Sequence, residues 1–151
     1  MSDIKIALVT AGAREEKAVT TGTKAWELFA EEPDVVAARV GGQLRDLAYE
    51  LADGDEVESV AIDSKDGHDI LRHSAAHVMA QAVQDIWPDA RLGIGPPIEN
   101  GFYYDFDVTK PFQPDDLQKL EKRMQEIVKA GQTFRRREYA SLNESKVELA
   151  H

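Results

Sequence analysis

Cysteine is absent from the 151-residue chain. That absence excludes disulfides, thiolate metal sites and a cysteine nucleophile within these residues. Long apolar runs are missing as well, and nothing approaches the roughly 20 residues that a membrane span needs. The opening Met1-Ser2-Asp3-Ile4-Lys5 lacks a basic stretch followed by an apolar one, so no secretory signal is expected. A cytoplasmic location and no membrane partner are the expectation. There is no Gly-rich phosphate loop, no internal repeat and no low-complexity tract.

Positive charge is scarce in one part of the chain. Residues 1–66 hold 15 acids against 7 Lys and Arg, whereas residues 67–151 hold 13 against 11. The first part is therefore unsuited to grip a phosphate backbone broadly, because such binding works by neutralising phosphates. Leu117 to Tyr139 is locally basic, with 7 Lys and Arg against 3 acids. That is a modest nucleic-acid signal, and a short basic run is usually a solvated face.

What is present reads as two parts. Ile4–Val9 is β-rich, and Lys17-Ala18-Val19 is its candidate hairpin partner. Thr23 is a plausible N-cap for a short helix through Trp26, Leu28 and Phe29. Pro33-Asp34 breaks that helix. Val35–Val40 is a strand, Gly41-Gly42 a hairpin turn, and Gln43–Leu47 the return strand. Asp53-Gly54-Asp55 is a further turn before Val57–Ile62, which alternates as a final strand. One helix on a small mixed sheet, a ubiquitin-like β-grasp, buries these faces economically. Asp63–Gly67 is polar and reads as the linker.

The second part opens with a helix from about Asp69 to Trp87, stopped by Pro88. Arg91–Gly95 is a short strand, Pro96-Pro97 and Asn100-Gly101 mark a tight connection, and Phe102–Val108 is strongly β-prone. A helix follows, with Pro114 at its first position, Asp115 and Asp116 in its first turn and Gly131 at its end. Its apolar stripe is Leu117, Leu120, Met124, Ile127 and Val128. Thr133–Tyr139 is a further strand, and Ser141-Leu142-Asn143-Glu144 is a capping box opening a last helix. The fold class is α+β: a β-grasp at 1–66, then at 67–151 an α+β domain with a long N-terminal helix and a small antiparallel sheet.

The chemistry-bearing residues are His73 and His77, four apart on the long helix. At 100° per residue, Leu71, Ala75, Val78, Ala82 and Ile86 form its expected core stripe. The histidines fall on the far side, stacked one turn apart beside Ala76, Ala80 and Gln84. Three readings stay open: two metal ligands, two members of a hydrolytic pocket, or two residues on a wet surface. A zinc site needs a third protein ligand. Only His68, one residue before the helix, and His151, at the terminus, add imidazoles. The residue after the first histidine is Ser74, not the Glu of a zincin. A carboxylate such as Asp105 could serve as a third ligand, but nothing in the sequence points to it, and no metal site is expected in this chain.

Specific stretches carry a resemblance. Gly22-Thr23, "ARVGGQLRDL" and "LADGDEVE" resemble the TGS domain, which also occurs in some GTPases and alarmone synthetases. "RHSAAHVMAQAV" followed by "GIGPPIENGFYYDFD" is similar to the second N-terminal domain of bacterial threonyl-tRNA synthetases. The resemblance covers the whole chain. Alanyl-tRNA synthetase editing domains share only the spaced histidines.

The resemblance implies a class II parent that joins threonine to its tRNA with ATP, and whose second domain hydrolyses mischarged seryl-tRNA. The family's editing pair falls on His73 and His77, and a pocket tyrosine on Tyr104. The pocket's downstream Lys and its Asp/Cys/His group lie outside this chain, as do the ATP, magnesium and zinc of the adenylating core. This implies a truncated editing domain at 67–151, partnered through the parent with the 3′ end of threonine tRNA. A homodimeric parent and a monomeric fragment inert for aminoacylation are implied too. The alternative is a non-catalytic TGS-type module that binds RNA or protein.

Overall fold

The computed structural model describes residues 2–133. They fall into two compact units, one running to Pro111 and the other starting at Phe112.

The first unit begins with a five-stranded mixed sheet. Its strands are β1 (Asp3–Thr10), β2 (Ala13–Thr20), β3 (Val35–Val40), β4 (Gln43–Arg45) and β5 (Glu56–Ala61). Their order across the sheet is β2-β1-β5-β3-β4. Neighbours are antiparallel except β1 and β5, which run parallel with Leu8 opposite Val57. The turns are where glycine allows positive φ: Gly41 (57°) and Gly42 (80°) close the β3–β4 hairpin. Ile6, Phe29, Val35, Val40, Leu51 and Val57 form the core under α1 (Ala25–Leu28).

Two boundaries differ from the sequence expectation. Strand β2 pairs with β1 along its whole length, from Ala13 to Thr20, although only Lys17–Val19 looked β-like. Arg14, Glu15 and Glu16 mask the signal because β2 is an edge strand, where charge discourages pairing with a foreign strand. Helix α1 is capped at Lys24, not Thr23. The Glu27 carboxylate accepts the Lys24 N–H at 2.8 Å, while the Thr23 hydroxyl turns back to donate to the Thr20 carbonyl at 2.6 Å.

The expected linker is also different. Helix α2 spans Lys65–Ile86 and takes in Lys65, Asp66 and Gly67. Ser64 caps it, its Oγ accepting the Gly67 N–H at 3.0 Å. Gly67 is buried so closely on β5 that a Cβ would overlap the Ala61 carbonyl. Arg39 of β3 pairs with Asp66 in the same turn. Polar composition here marks a cap docked on the sheet, not a free connection. At the other end α2 stops at Trp87, before Pro88, as expected.

The buried face of α2 departs from the periodicity. Of the expected stripe only Ala82 is buried, and Leu71 is 50% exposed. Ala76, Ala80 and Val83, on the opposite side, are buried. The helix packs against β3, β5 and two further short strands, so it is covered on more than one side. Alanine permits close approach on either face, and that leaves the apolar period ambiguous.

The two further strands are β7 (Pro97–Ile98) and β8 (Gly101–Phe102), a hairpin; β6 (Arg91–Leu92) pairs with β9 (Phe106–Asp107). The expected Phe102–Val108 strand is thus split, and Arg91–Gly95 is shortened. Residues 103–105 leave the ladder to cross over Gly93 and Gly95.

In the second unit, α3 (Pro114–Ala130) has Pro at its start, Asp115 and Asp116 in its first turn and Gly131 in the left-handed conformation at its end, as expected. Leu120 and Ile127 are buried, whereas Leu117 and Val128 of the expected stripe are exposed. The expected strand to Tyr139, the end of the basic Leu117–Tyr139 stretch, the last helix and His151 lie outside the described residues, which end at 133.

Candidate functional site

The register of α2 is set at its first turn. The Ser64 cap and the glycine contact on β5 fix where the helix starts, and the 3.6-residue period then fixes where His73 and His77 emerge. Both are exposed. Their rings stack with centroids 4.7 Å apart and planes 15° from parallel. They flank the strip of Ala76 and Ala80, which is buried. The two imidazoles thus stand on the shoulder of a covered face.

His77 is held below its ordinary value of 6.5, first by partial burial of its ring and second by the charge that His73 brings beside it. Both causes favour a neutral imidazole, which can accept a proton near pH 7. A neutral, accessible imidazole stacked on a second one can orient a water and move its proton.

The other sequence candidates separate. His68 lies inside the first turns of α2, its N–H donating to the Ser64 carbonyl at 2.9 Å, and not before the helix. Among the described residues no group of three His, Asp or Glu could hold a metal ion. The stacked pair alone falls short of the three protein ligands of a zinc site. Tyr104 is half-buried and stacks on Phe106, with centroids 4.9 Å apart. No hydrogen bond or ring contact joins it to the histidines. The structure brings the pair together and places Tyr104 on the crossing segment. It also reveals Gly93 and Gly95 beneath that segment, which side-chain chemistry could not point to. The signal available was the Gly-x-Gly spacing itself.

No family model matches the chain. Individual proteins do. Over 137 residues, 91% of the chain, it is 73% identical to the threonine–tRNA ligase of Nocardioides sp., of which it covers 20%. The chain is similar, nearly end to end, to a segment of threonine–tRNA ligases. The Streptomyces coelicolor threonine–tRNA ligase is 64% identical over 137 residues, which make up 21% of that enzyme. The Parafrankia sp. threonine–tRNA ligase is 59% identical over 150 residues, 99% of the chain and 23% of that enzyme. The chain thus spans about a fifth of the length of the ligases it matches. The Parafrankia match takes in both the sheet and α2.

Proposed function

We propose that this chain is the N-terminal part of a threonine–tRNA ligase and supplies one wall of the site that hydrolyses seryl-tRNA mischarged with serine in place of threonine. The observation that carries the reading is the stacked His73/His77 pair, exposed on α2, in a chain 73% identical to a threonine–tRNA ligase segment. Residues 1–66 are a TGS-type β-grasp domain. The strand order with a parallel β1–β5 pair and a helix packed beneath supports that reading. Residues 67–151 begin the editing domain.

The chemistry follows from the difference between the two amino acids. Serine lacks one methyl of threonine, which is worth only about 1–3 kcal/mol of discrimination in a binding site. A second, hydrolytic site raises fidelity beyond that limit. There, water attacks the ester carbonyl, an imidazole takes the water's proton, and the 3′ oxygen of the terminal adenosine leaves with a proton. His77, kept neutral near pH 7 by its partial burial and by the charge of His73, fits the acceptor role. Tyr104 lines the pocket. The partner is threonine tRNA, engaged at its 3′ end.

ATP, magnesium and zinc serve the adenylating core of such a ligase. Among the described residues the histidine pair lacks the third protein ligand that zinc needs. The whole ligase is a homodimer, and this segment alone is a monomer inert for aminoacylation. Deacylation of purified seryl-tRNA for threonine, by the complete ligase carrying this segment, tests the proposal. His73→Ala or His77→Ala is expected to slow it on the order of 10²–10⁴-fold, as loss of a proton-transfer group does, with threonine charging retained. A double alanine variant that edits at the unmodified rate sinks the reading.

A further inference from the structure

Gly93 and Gly95 lie two residues apart in an extended stretch, so the positions their side chains would occupy share a face. The chain crosses that face again at residues 103–105. The Gly93 N–H donates to the Asp105 carbonyl at 2.8 Å, and the Asp105 N–H donates to the Ile94 carbonyl at 2.9 Å. Two main-chain hydrogen bonds therefore clamp the crossing. A Cβ at Gly93 would press on the Asp105 Cβ and carbonyl, and one at Gly95 would overlap Cγ, Cδ2 and Cε2 of Tyr104. On the aromatic side, Phe106 stacks on the same ring with planes 19° apart. The Tyr104 ring thus rests on bare backbone at Gly95 and against a ring wall at Phe106. Its hydroxyl makes no hydrogen bond among the described residues.

We infer that Gly95 is a positioning residue for Tyr104: the missing side chain at 95 sets where the ring lies, and hence where its hydroxyl is presented. Gly95 does not need glycine for its backbone, because it is not among the residues with positive φ. The space that Tyr104 fills is the reason. Any functional consequence rests on the proposed editing role of Tyr104, but the geometry does not. A displacement of about 1 Å at a reacting group can cost on the order of 10²-fold in rate, so a single methyl at position 95 is enough to matter.

Two measurements test this. The Tyr104 ring protons lie against the Phe106 ring, and NMR of the 151-residue chain reads their shifts. Gly95→Ala is expected to move them, and unmoved shifts in a folded Gly95→Ala chain would overturn the inference. If Gly95→Ala unfolds the chain, Gly95→Ala combined with Tyr104→Ala must restore folding, since it removes the overlapping ring. A double variant that stays unfolded also overturns it. In the complete ligase, Gly95→Ala is expected to slow seryl-tRNA deacylation on the order of 10²-fold while threonine charging holds. The double variant should be no slower than Tyr104→Ala alone, because residues acting through one another are not additive. If the effects instead multiply, Gly95 acts by another route and the inference fails. Should Tyr104→Ala alone leave editing untouched while the ring shifts still respond to Gly95→Ala, the pocket role of Tyr104 falls and the positioning stands.

Discussion

The sheet of residues 3–61 and the segment of residues 91–107 are both β structure, yet they are held by different means. The sheet has strands of up to eight residues, an apolar core and a charged edge at β2. The segment has four strands of two residues each, and it leaves Leu92, Ile94, Ile98 and Tyr103 exposed. The sheet is stabilised by burial spread over many side chains. The segment depends on a few close backbone approaches at Gly93 and Gly95 and on its contact with α2. Tolerance to substitution should therefore differ sharply between them. In the sheet, cost should follow burial. In the segment, it should follow the bare α-carbons.

The largest contrast is expected from core truncation. Ile6→Ala, in the middle of β1 and nearly fully buried, should cost about 2–5 kcal/mol of unfolding free energy. Ile94→Ala, 68% exposed, should stay within about 0.5 kcal/mol. Urea unfolding of the two variants checks this. Equal costs would mean that the segment's apolar residues are covered in solution.

Gly67→Ala sharpens the comparison at the junction. In an exposed helix interior, replacing Gly by Ala gains about 1 kcal/mol. Here the new methyl meets the Ala61 carbonyl, so a loss of about 1–3 kcal/mol is expected instead. A gain in the unfolding midpoint would show that α2 stands off the sheet. Amide hydrogen exchange offers a third contrast. Protection should be highest in β1, β3 and β5 and lower from Arg91 to Asp107, where few residues are buried.

A smaller effect belongs to Arg39→Leu. Its pairing with Asp66 is partly exposed, so the loss should be about 0.2–1 kcal/mol and should shrink in high salt. The smallest concerns pH. His77 binds its proton more weakly in the fold than in the unfolded chain. Between those two values the unfolded chain holds more protons, so stability falls as pH drops through 6.5 and the loss is complete below the folded value. NMR titration should place His77 below 6.5. His73→Ala should recover only part of the shift, because burial is the larger cause. Full recovery would assign the shift to charge.

Much of the sheet was legible because its turns are chemically marked. Gly41-Gly42 and Asp53-Gly54-Asp55 delimit strands whose apolar residues face one core. Strand β2 was only partly legible, since an edge strand satisfies its backbone without needing apolar side chains. The face of α2 was misread because Ala76 and Ala80 count as little in an apolar stripe, yet suit a close contact. The two histidines were legible as neighbours from spacing alone, as the 4.7 Å stack bears out. Tyr104 could not be placed from its own strand. Its seat is a glycine nine residues earlier in the chain, and only the folded crossing brings them together.

The parallel pairing of β1 with β5 has a consequence in time. The hairpins β1–β2 and β3–β4 join residues close in sequence, so each can form as soon as it leaves the ribosome. The sheet's centre cannot. Residues 7–9 of β1 wait for residues 56–58, and the Lys5 N–H finds the Asp53 carboxylate only across 48 residues. Closing that loop is the slow, entropically costly event. The first turn of α2 follows β5 directly and seats on it through Gly67. A nascent chain therefore presents two hairpins first and a closed sheet next. The histidine-bearing helix can seat on the sheet only once β5 is in place, so an error at β5 reaches His73 and His77 through the register of the helix.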